Sequence, residues 1–326
     1  MCVPAAHVVQ RRRNVRTMKA SVIVPSRGGA ERLPRLLDAL SRQNYESWEA
    51  VIVLDGDVDG SAAVVERYSH LPVQVLVFPE NRGRVAALNA GFAAAEGDVL
   101  IRADDDFEPS PTHIAAHVEP HRRGVCGAIG LPLNIAPNNA YMRAYGTVAD
   151  EQGRQDAYRT PPEDRWRLWG GNTSVRREIF EEVGGFDPRY VGYGWEDLDL
   201  GYRLHRHGIP LLLVPGAEVR HHMAAVTTTA RARRAFRSGQ GRRRFEHIHG
   251  RGSSSSLPSS PATVWNTAVS GLGRVLTYDR TEHLASTIDR ILPLLPPPVA
   301  RKVIALIVES AARAGFVSEE ETSHHV

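Results

Sequence analysis

The chain has 326 residues, 42% of them apolar and 24% charged. That is globular composition with room for one large α/β domain and an appendage, and it excludes collagen-like, coiled-coil and wholly disordered classes. The net charge of +3 hides an asymmetry: residues 1–19 hold five basic and no acidic residues, residues 220–251 hold nine arginines against Glu246, and the remainder is acidic. This is not the even basic face of a dedicated nucleic-acid binder, although the basic tracts suit anionic lipid headgroups or phosphate-bearing substrates. Their plain reading is solvated, partly disordered chain. Two cysteines, Cys2 and Cys126, cannot build a disulfide framework and suit a reducing compartment. No apolar run reaches the roughly 18–20 residues of a membrane span, and the N-terminus lacks a signal-like apolar core. The expected location is cytoplasmic, with peripheral membrane contact through the Arg-rich segment.

Residues 1–18 read as a basic tail, and Met18 as a candidate start. Ser21–Val24 predicts a strand, followed by helical spacing of Leu33, Leu36, Leu37 and Leu40. Strands are expected at Ala50–Leu54, Val73–Phe78, Val99–Ala103 and Val125–Leu131. Helices are expected between them at Ser61–Tyr68, Arg84–Ala95 and Pro111–Arg123. The alternation predicts an α/β fold of three layers, with a mostly parallel central sheet and ligands at the strands' carboxyl ends. Residues 132–169 read as long loops with one short helix near Ala140–Ala149. Further on come helices at Arg177–Val183 and Glu196–His207 and a strand at Leu211–Val214. Residues 19–225 are thus expected to form the α/β domain, 226–262 an Arg-rich segment and Ser/Pro linker, and 263–326 a helical C-terminal region.

Three clusters carry chemistry. Asp104-Asp105-Asp106 follows the fourth strand, where adjacent carboxylates call for a cation and alternate ones could share a divalent ion and a sugar hydroxyl. Trp195-Glu196-Asp197-Leu198-Asp199-Leu200 opens a helix whose dipole favours first-turn acids and whose Leu200 and Leu204 face a core. His221-His222 offers imidazole ligands. Each has a plainer reading alone: an acidic turn, a helix cap, an exposed pair. Asp55-Gly56-Asp57-Val58-Asp59-Gly60-Ser61 lacks the position-12 glutamate of a calcium loop. P-loop and dinucleotide-binding glycine patterns are absent.

The order of motifs resembles family 2 glycosyltransferases of the GT-A fold. It runs from Ser21-Val-Ile-Val-Pro-Ser-Arg27 through Asp55-Gly-Asp, Asn81-Arg-Gly-Arg84, Asp104-Asp-Asp106, Trp169-Gly-Gly-Asn172 and Trp195-Glu-Asp to His221. Residues from Trp169 to His222 also resemble the carboxyl-terminal half of galactosyltransferase-type enzymes. The resemblance implies a metal-dependent inverting transfer of a sugar, a UDP-sugar first of all, to an acceptor hydroxyl. It implies that Pro25, Ser26 and Arg27 line the nucleotide pocket, that Asp55 reads the base, and that Arg84 lies near the nucleotide. Asp104 would meet ribose or donor sugar, while Asp106 and His221 would ligate Mn2+ or Mg2+. Gly171, Asn172 and Trp195 would touch donor sugar or acceptor. Asp197 would be the general base, with Glu196 helping to bind the acceptor. The acceptor would be a glycan, a lipid-linked or a small molecule. Leu54 and Arg102 stand where the family commonly has acids. Competing readings are a non-catalytic sugar-nucleotide or glycan-binding module, a sugar-nucleotide-forming nucleotidyltransferase, and a nucleic-acid binder acting through Arg231–Arg244, the last disfavoured because charge alone carries it.

Overall fold

Ile23 packs to one side of the first strand and Val22 and Val24 to the other, so β1 (Ala20–Ser26) is buried on both faces. The computed structural model describes residues 17–192, 194–222, 225–254 and 263–318. Most of the expected basic tail and of the Ser/Pro linker lie outside these residues. After β1 come α1 (Leu33–Leu40), β2 (Trp48–Asp55), α2 (Ser61–Glu66), β3 (Val73–Phe78), α3 (Arg84–Ala94) and β4 (Val99–Arg102). Next are β5 (Phe107–Pro109), α4 (His113–Arg123), β6 (Gly127–Ile129) and β7 (Pro132–Ile135). They lead to α5 (Thr147–Arg159), β8 (Thr173–Arg176), α6 (Arg177–Glu182), α7 (Glu196–Arg206), β9 (Leu211–Leu213) and β10 (Val219–His222). Four helices follow: α8 (Thr228–His249), α9 (Val264–Val275), α10 (Tyr278–Ile291) and α11 (Pro297–Val317).

The main sheet has seven strands in the order β3-β2-β1-β4-β8-β6-β9. It is mostly parallel; β8 runs antiparallel to both of its neighbours. Val51 and Val53 join the core on one face, Ile52 and Leu54 the core on the other. A second sheet, β5-β10-β7, stands beside it and carries His221 and His222 in β10. The carboxyl ends of β1, β2 and β4 present Ser26, Asp55 and the aspartate triplet on one edge.

The structure differs from the sequence reading in several places, the strands β5 and β10 of the second sheet among them. Residues 132–169 are not long loops: they hold β7, a π-helical turn at Met142–Gly146, α5 and a 3-10 helix at Pro162–Leu168. Helix α5 buries only Ala157, so it has no apolar stripe to read. Strand β8 escaped notice because its buried Thr173 and Ser174 are polar. The Arg-rich tract is an ordered 22-residue helix, started by the Thr227 side chain, which accepts from the Ala230 N–H.

Helix α8 joins two cores. Its Phe245 lies in the core against the sheet, and its Phe236 lies in a third cluster with α10 and α11. The α8–α11 crossing is made with glycine rather than apolar bulk. A Cβ at Gly315 would fall 1.8 Å from the Phe236 carbonyl oxygen, and one at Gly239 would fall 2.1 Å from that of Ala312. Gly315→Leu should therefore force the helices apart and cost about 1–3 kcal/mol or more. Gly271→Ala, where a Cβ meets nothing within 4 Å in α9, should gain about 0.5–1 kcal/mol. Urea unfolding of the two variants checks both signs.

Candidate active site

Strand β4 ends in Arg102, whose side chain is 1% exposed in an otherwise apolar strand. A buried guanidinium must meet carboxylates. Its Nη1 lies 3.1 Å from Asp104 Oδ1, and its Nε lies 2.8 Å from Asp197 Oδ1. Arg84, the first residue of α3, repeats the pattern: Nη2 lies 2.5 Å from Asp104 Oδ1 and Nε 3.1 Å from Glu196 Oε1. Two arginines and three carboxylates from three separate stretches of chain thus form one network. Gly171 permits it, since a Cβ there would sit 2.3 Å from Asp104 Oδ2.

The triplet divides by direction. Asp105 turns inward, accepting from Ser26 Oγ at 2.5 Å and from Arg32 Nε and Nη2 at 2.9 and 2.8 Å. Asp104 lines two cavities, whereas Asp106 lines neither and lies against His221. Burial alone would push Asp104 up, but Arg102 and Arg84 outweigh it and hold the carboxyl at about 2. Burial, opposed by both arginines, raises Asp197 above the usual carboxylate value. Burial and the neighbouring Asp197 charge raise Glu196 to about 6.

Helix α7 begins from an unusual backbone. Trp195 has φ +74°, the left-handed region, between Gly194 and the helix. Among the described residues no other non-glycine residue does this. Such a conformation costs about 1–3 kcal/mol and persists only where surroundings enforce it. Here α8 enforces it: the indole Nε1–H donates to Ser238 Oγ at 3.1 Å, and Gly241 leaves room for the ring. The result turns Glu196 and Asp197 into a cavity of about 310 Å³, lined also by Arg84, Asp104, Gly171 and Ser238. A second cavity of about 180 Å³ shares Asp104 and Gly171 and adds Phe107, Asn172 and His221.

The remaining predicted residues lie elsewhere or face inward. Pro25, Ser26, Arg27 and Asp55 line neither cavity. Asp55 accepts from the backbone N–H groups of Arg82 and Gly83 at 2.6 and 2.9 Å, pinning the loop that leads into Arg84. The Asn172 amide is held by protein at both ends. Its Nδ2 donates to the Ala217 carbonyl at 2.7 Å, and its Oδ1 accepts from His117 Nε2 at 3.0 Å. His117 Nδ1 then accepts from the Ser174 hydroxyl at 3.0 Å, and that oxygen accepts from His121 Nε2 at 2.9 Å. The chain requires neutral imidazoles; burial supplies them, lowering His117 to about 4 and His121 to about 3. Sequence reasoning passed over Ser238 and these histidines, and it named Asp105 within the triplet without its inward role. Only Arg102, a charge ending an apolar strand, left a signal.

A divalent ion fits between Asp106 and His221. Asp106 Oδ1 is buried without a hydrogen-bond partner. His221 Nδ1 donates to Asn134 Oδ1 at 2.6 Å, which turns Nε2 toward Asp106. That nitrogen lies 3.3 Å from Asp106 Oδ2, a contact that a proton on the ring closes as an ion pair and that a divalent cation would close by ligation. No group of three or more such protein ligands exists among the described residues, so further ligands would come from substrate or water.

Comparison with known proteins follows this geometry. The family model described as Glycosyl transferase family 2 matches residues 21–184, half of the chain. The chain belongs to that family. A second model, described as the N-terminal domain of galactosyltransferase, matches residues 157–225, so the two together span the stretch from β1 to β10. A validoxylamine A glucosyltransferase of Streptomyces hygroscopicus subsp. jinggangensis is 32% identical over 59% of this chain and 52% of its own length. The N-acetylglucosaminyl-diphospho-decaprenol L-rhamnosyltransferase of Mycobacterium tuberculosis is 31% identical over 60% of this chain and 73% of its own. The chain spans about half the length of the Streptomyces relatives. A mannosyltransferase from Pyrobaculum calidifontis, solved with GDP-Man and Mn2+, superposes with TM-score 0.56 at 18% identity, over 93% of this chain and 88% of that one. The likeness is one of fold, and the GT-A arrangement expected from the motifs is the one observed.

Two outcomes test the network. Arg102→Met leaves buried carboxylates short of a cation and should cost about 3–5 kcal/mol at neutral pH, less toward pH 4 as they take up protons. Glu196 is raised from its ordinary 4.5 to about 6, so in that window the folded state holds a proton that the unfolded chain has lost. Its contribution to stability falls as pH rises through the window. Relative to wild type, Glu196→Gln should therefore gain stability between pH 4.5 and 6 and keep that gain above, as measured by urea melts in a pH series.

Proposed function

We propose that the chain transfers a sugar from a nucleoside-diphosphate sugar, a UDP-sugar first among candidates, to an acceptor hydroxyl with inversion at the anomeric carbon. The observation that carries this reading is the placement of Asp197 and Glu196 in one cavity with Asp104 and Arg84. On this reading residues 19–225 hold the donor chemistry, and α8 with the helices after it shapes the acceptor side. Asp197 takes the acceptor proton as the acceptor oxygen attacks from the side opposite the leaving nucleotide. Its raised proton affinity suits a base, and its carboxylate stays oriented by Arg102. Glu196 binds the acceptor. Arg84 and Asp104 position the donor, with Arg84 offering positive charge as the diphosphate departs. Asp106 and His221 would hold Mn2+ or Mg2+, whose chemistry is to neutralise charge on the leaving diphosphate. Support for a nucleotide-sugar donor comes from the family and from neighbours solved with GDP-Man and Mn2+ or with UDP, GalNAc and Mn2+. The relatives are named for a small-molecule and a lipid-linked acceptor, so both classes stand as candidates with glycans.

A panel of nucleotide sugars, assayed for nucleotide release and transfer with and without Mn2+ or Mg2+, tests the reading. One donor should support metal-dependent turnover. Asp197→Asn should lower kcat by about 10²–10⁴ while donor binding persists, and Asp106→Ala should weaken the metal response. Tight nucleotide-sugar binding with no turnover on any acceptor would favour a binding module instead.

A further inference from the structure

The corner between α10 and α11 sets exposed apolar side chains beside a buried anchor. Leu292 is buried and anchors it, yet Leu294, two residues on, is 82% exposed, with Ile291 at 41% and Val299 at 46%. Pro296, Pro297 and Pro298 are exposed and stiffen the backbone, so the apolar tip loses little freedom on contact. Beyond Asp289, the charge within its own stretch has one sign. Residues 290–302 contain Arg290, Arg301 and Lys302, all exposed, and no acid. The neighbouring Asp289 is consumed, accepting from the N–H groups of Thr228 and Thr229 at 2.8 and 2.9 Å. Those bonds bring the first turn of α8, with exposed Arg231, alongside. Arg301 reaches the Ala144 carbonyl and so adjoins the turn bearing exposed Arg143.

An apolar tip collared by cations matches a surface that is apolar inside and anionic outside. We propose that this corner docks on an anionic phospholipid bilayer, with Ile291, Leu294 and Val299 entering the headgroup–acyl boundary and Arg290, Arg301 and Lys302 meeting the phosphates. The corner is tied to Thr228, and Ser238 of the same helix lines the acceptor cavity. Ten residues of helix place that cavity about 15 Å from the tie. Resting on the glycosyl-transfer reading above, docking favours a lipid-linked acceptor, presented at the membrane surface, over a freely diffusing one.

Sedimentation of the full chain with phosphatidylcholine vesicles, with and without phosphatidylglycerol, tests the docking. Wild type should sediment with phosphatidylglycerol vesicles only, and less at high salt. Arg290→Ala with Lys302→Ala should weaken partitioning about 25-fold, or about fivefold per charge. Leu294→Ser, at an exposed site, should weaken it also, and nucleotide release from the donor should be unchanged in all variants. Equal binding to both vesicle types, or to neither, overturns the docking. So does a wild-type dimer in light scattering that Leu294→Ser dissolves while vesicle partitioning stays the same. Vesicle binding without turnover of any sugar nucleotide leaves the docking standing and sinks the transfer reading; turnover without vesicle binding does the reverse.

Discussion

Arg102 is the constraint around which the site is arranged. A guanidinium with 1% exposure at the end of β4 needs carboxylate partners. It takes Asp104 from its own strand end and Asp197 from the start of α7, nearly a hundred residues later. Arg84 does the same for Asp104 and Glu196 from the start of α3. The network therefore fixes how α7 sits against the sheet. It also separates the proton affinities of its carboxylates: Asp104 is held ionised, while Glu196 and Asp197 are raised. Like charges crowded into one cleft end in different protonation behaviour because the arginines are not shared evenly.

Strands β1 to β4 and the helices between them were legible in the sequence because each buries a regular apolar pattern. The Asp104–Asp106 triplet and the Glu196-Asp197 pair were legible because charges at strand and helix ends need a reason. Strand β8 was not, since its buried Thr173 and Ser174 are polar, the first made tolerable by the Gly170 carbonyl and the second by His117 and His121 far away in sequence. Nor was α8, whose contact with α11 uses Gly239 and Gly315 where a periodicity search expects leucines. Ser238 lies in an arginine run with nothing to mark it. Its part in the cavity exists only because α8 folds back over Trp195. Local pattern reveals elements; it is silent on which distant elements close a cavity.

The inward-facing histidines of α4 show how polar atoms survive inside this fold. Each donor along His121, Ser174, His117, Asn172 and the Ala217 carbonyl has one acceptor, so the chain has a single direction. That order orients Asn172 and holds the loop carrying Gly171 against Asp104. Rigidity at the cleft floor is thus supplied from beneath it, by His117, His121 and Ser174, which line neither cavity.

The hydrogen bond from Trp195 to Ser238 joins two parts of the chain with different tasks. The indole belongs to the strained turn that presents Glu196 and Asp197, whereas the serine belongs to the helical region beyond the sheet. Apart from Ser238 the cavity lining comes from residues before 200, and its far wall comes from α8. On the transfer reading proposed above, such a division would let selection act on two specificities separately. Change in the terminal helices would then retune what receives the sugar while the machinery for the nucleotide is inherited intact.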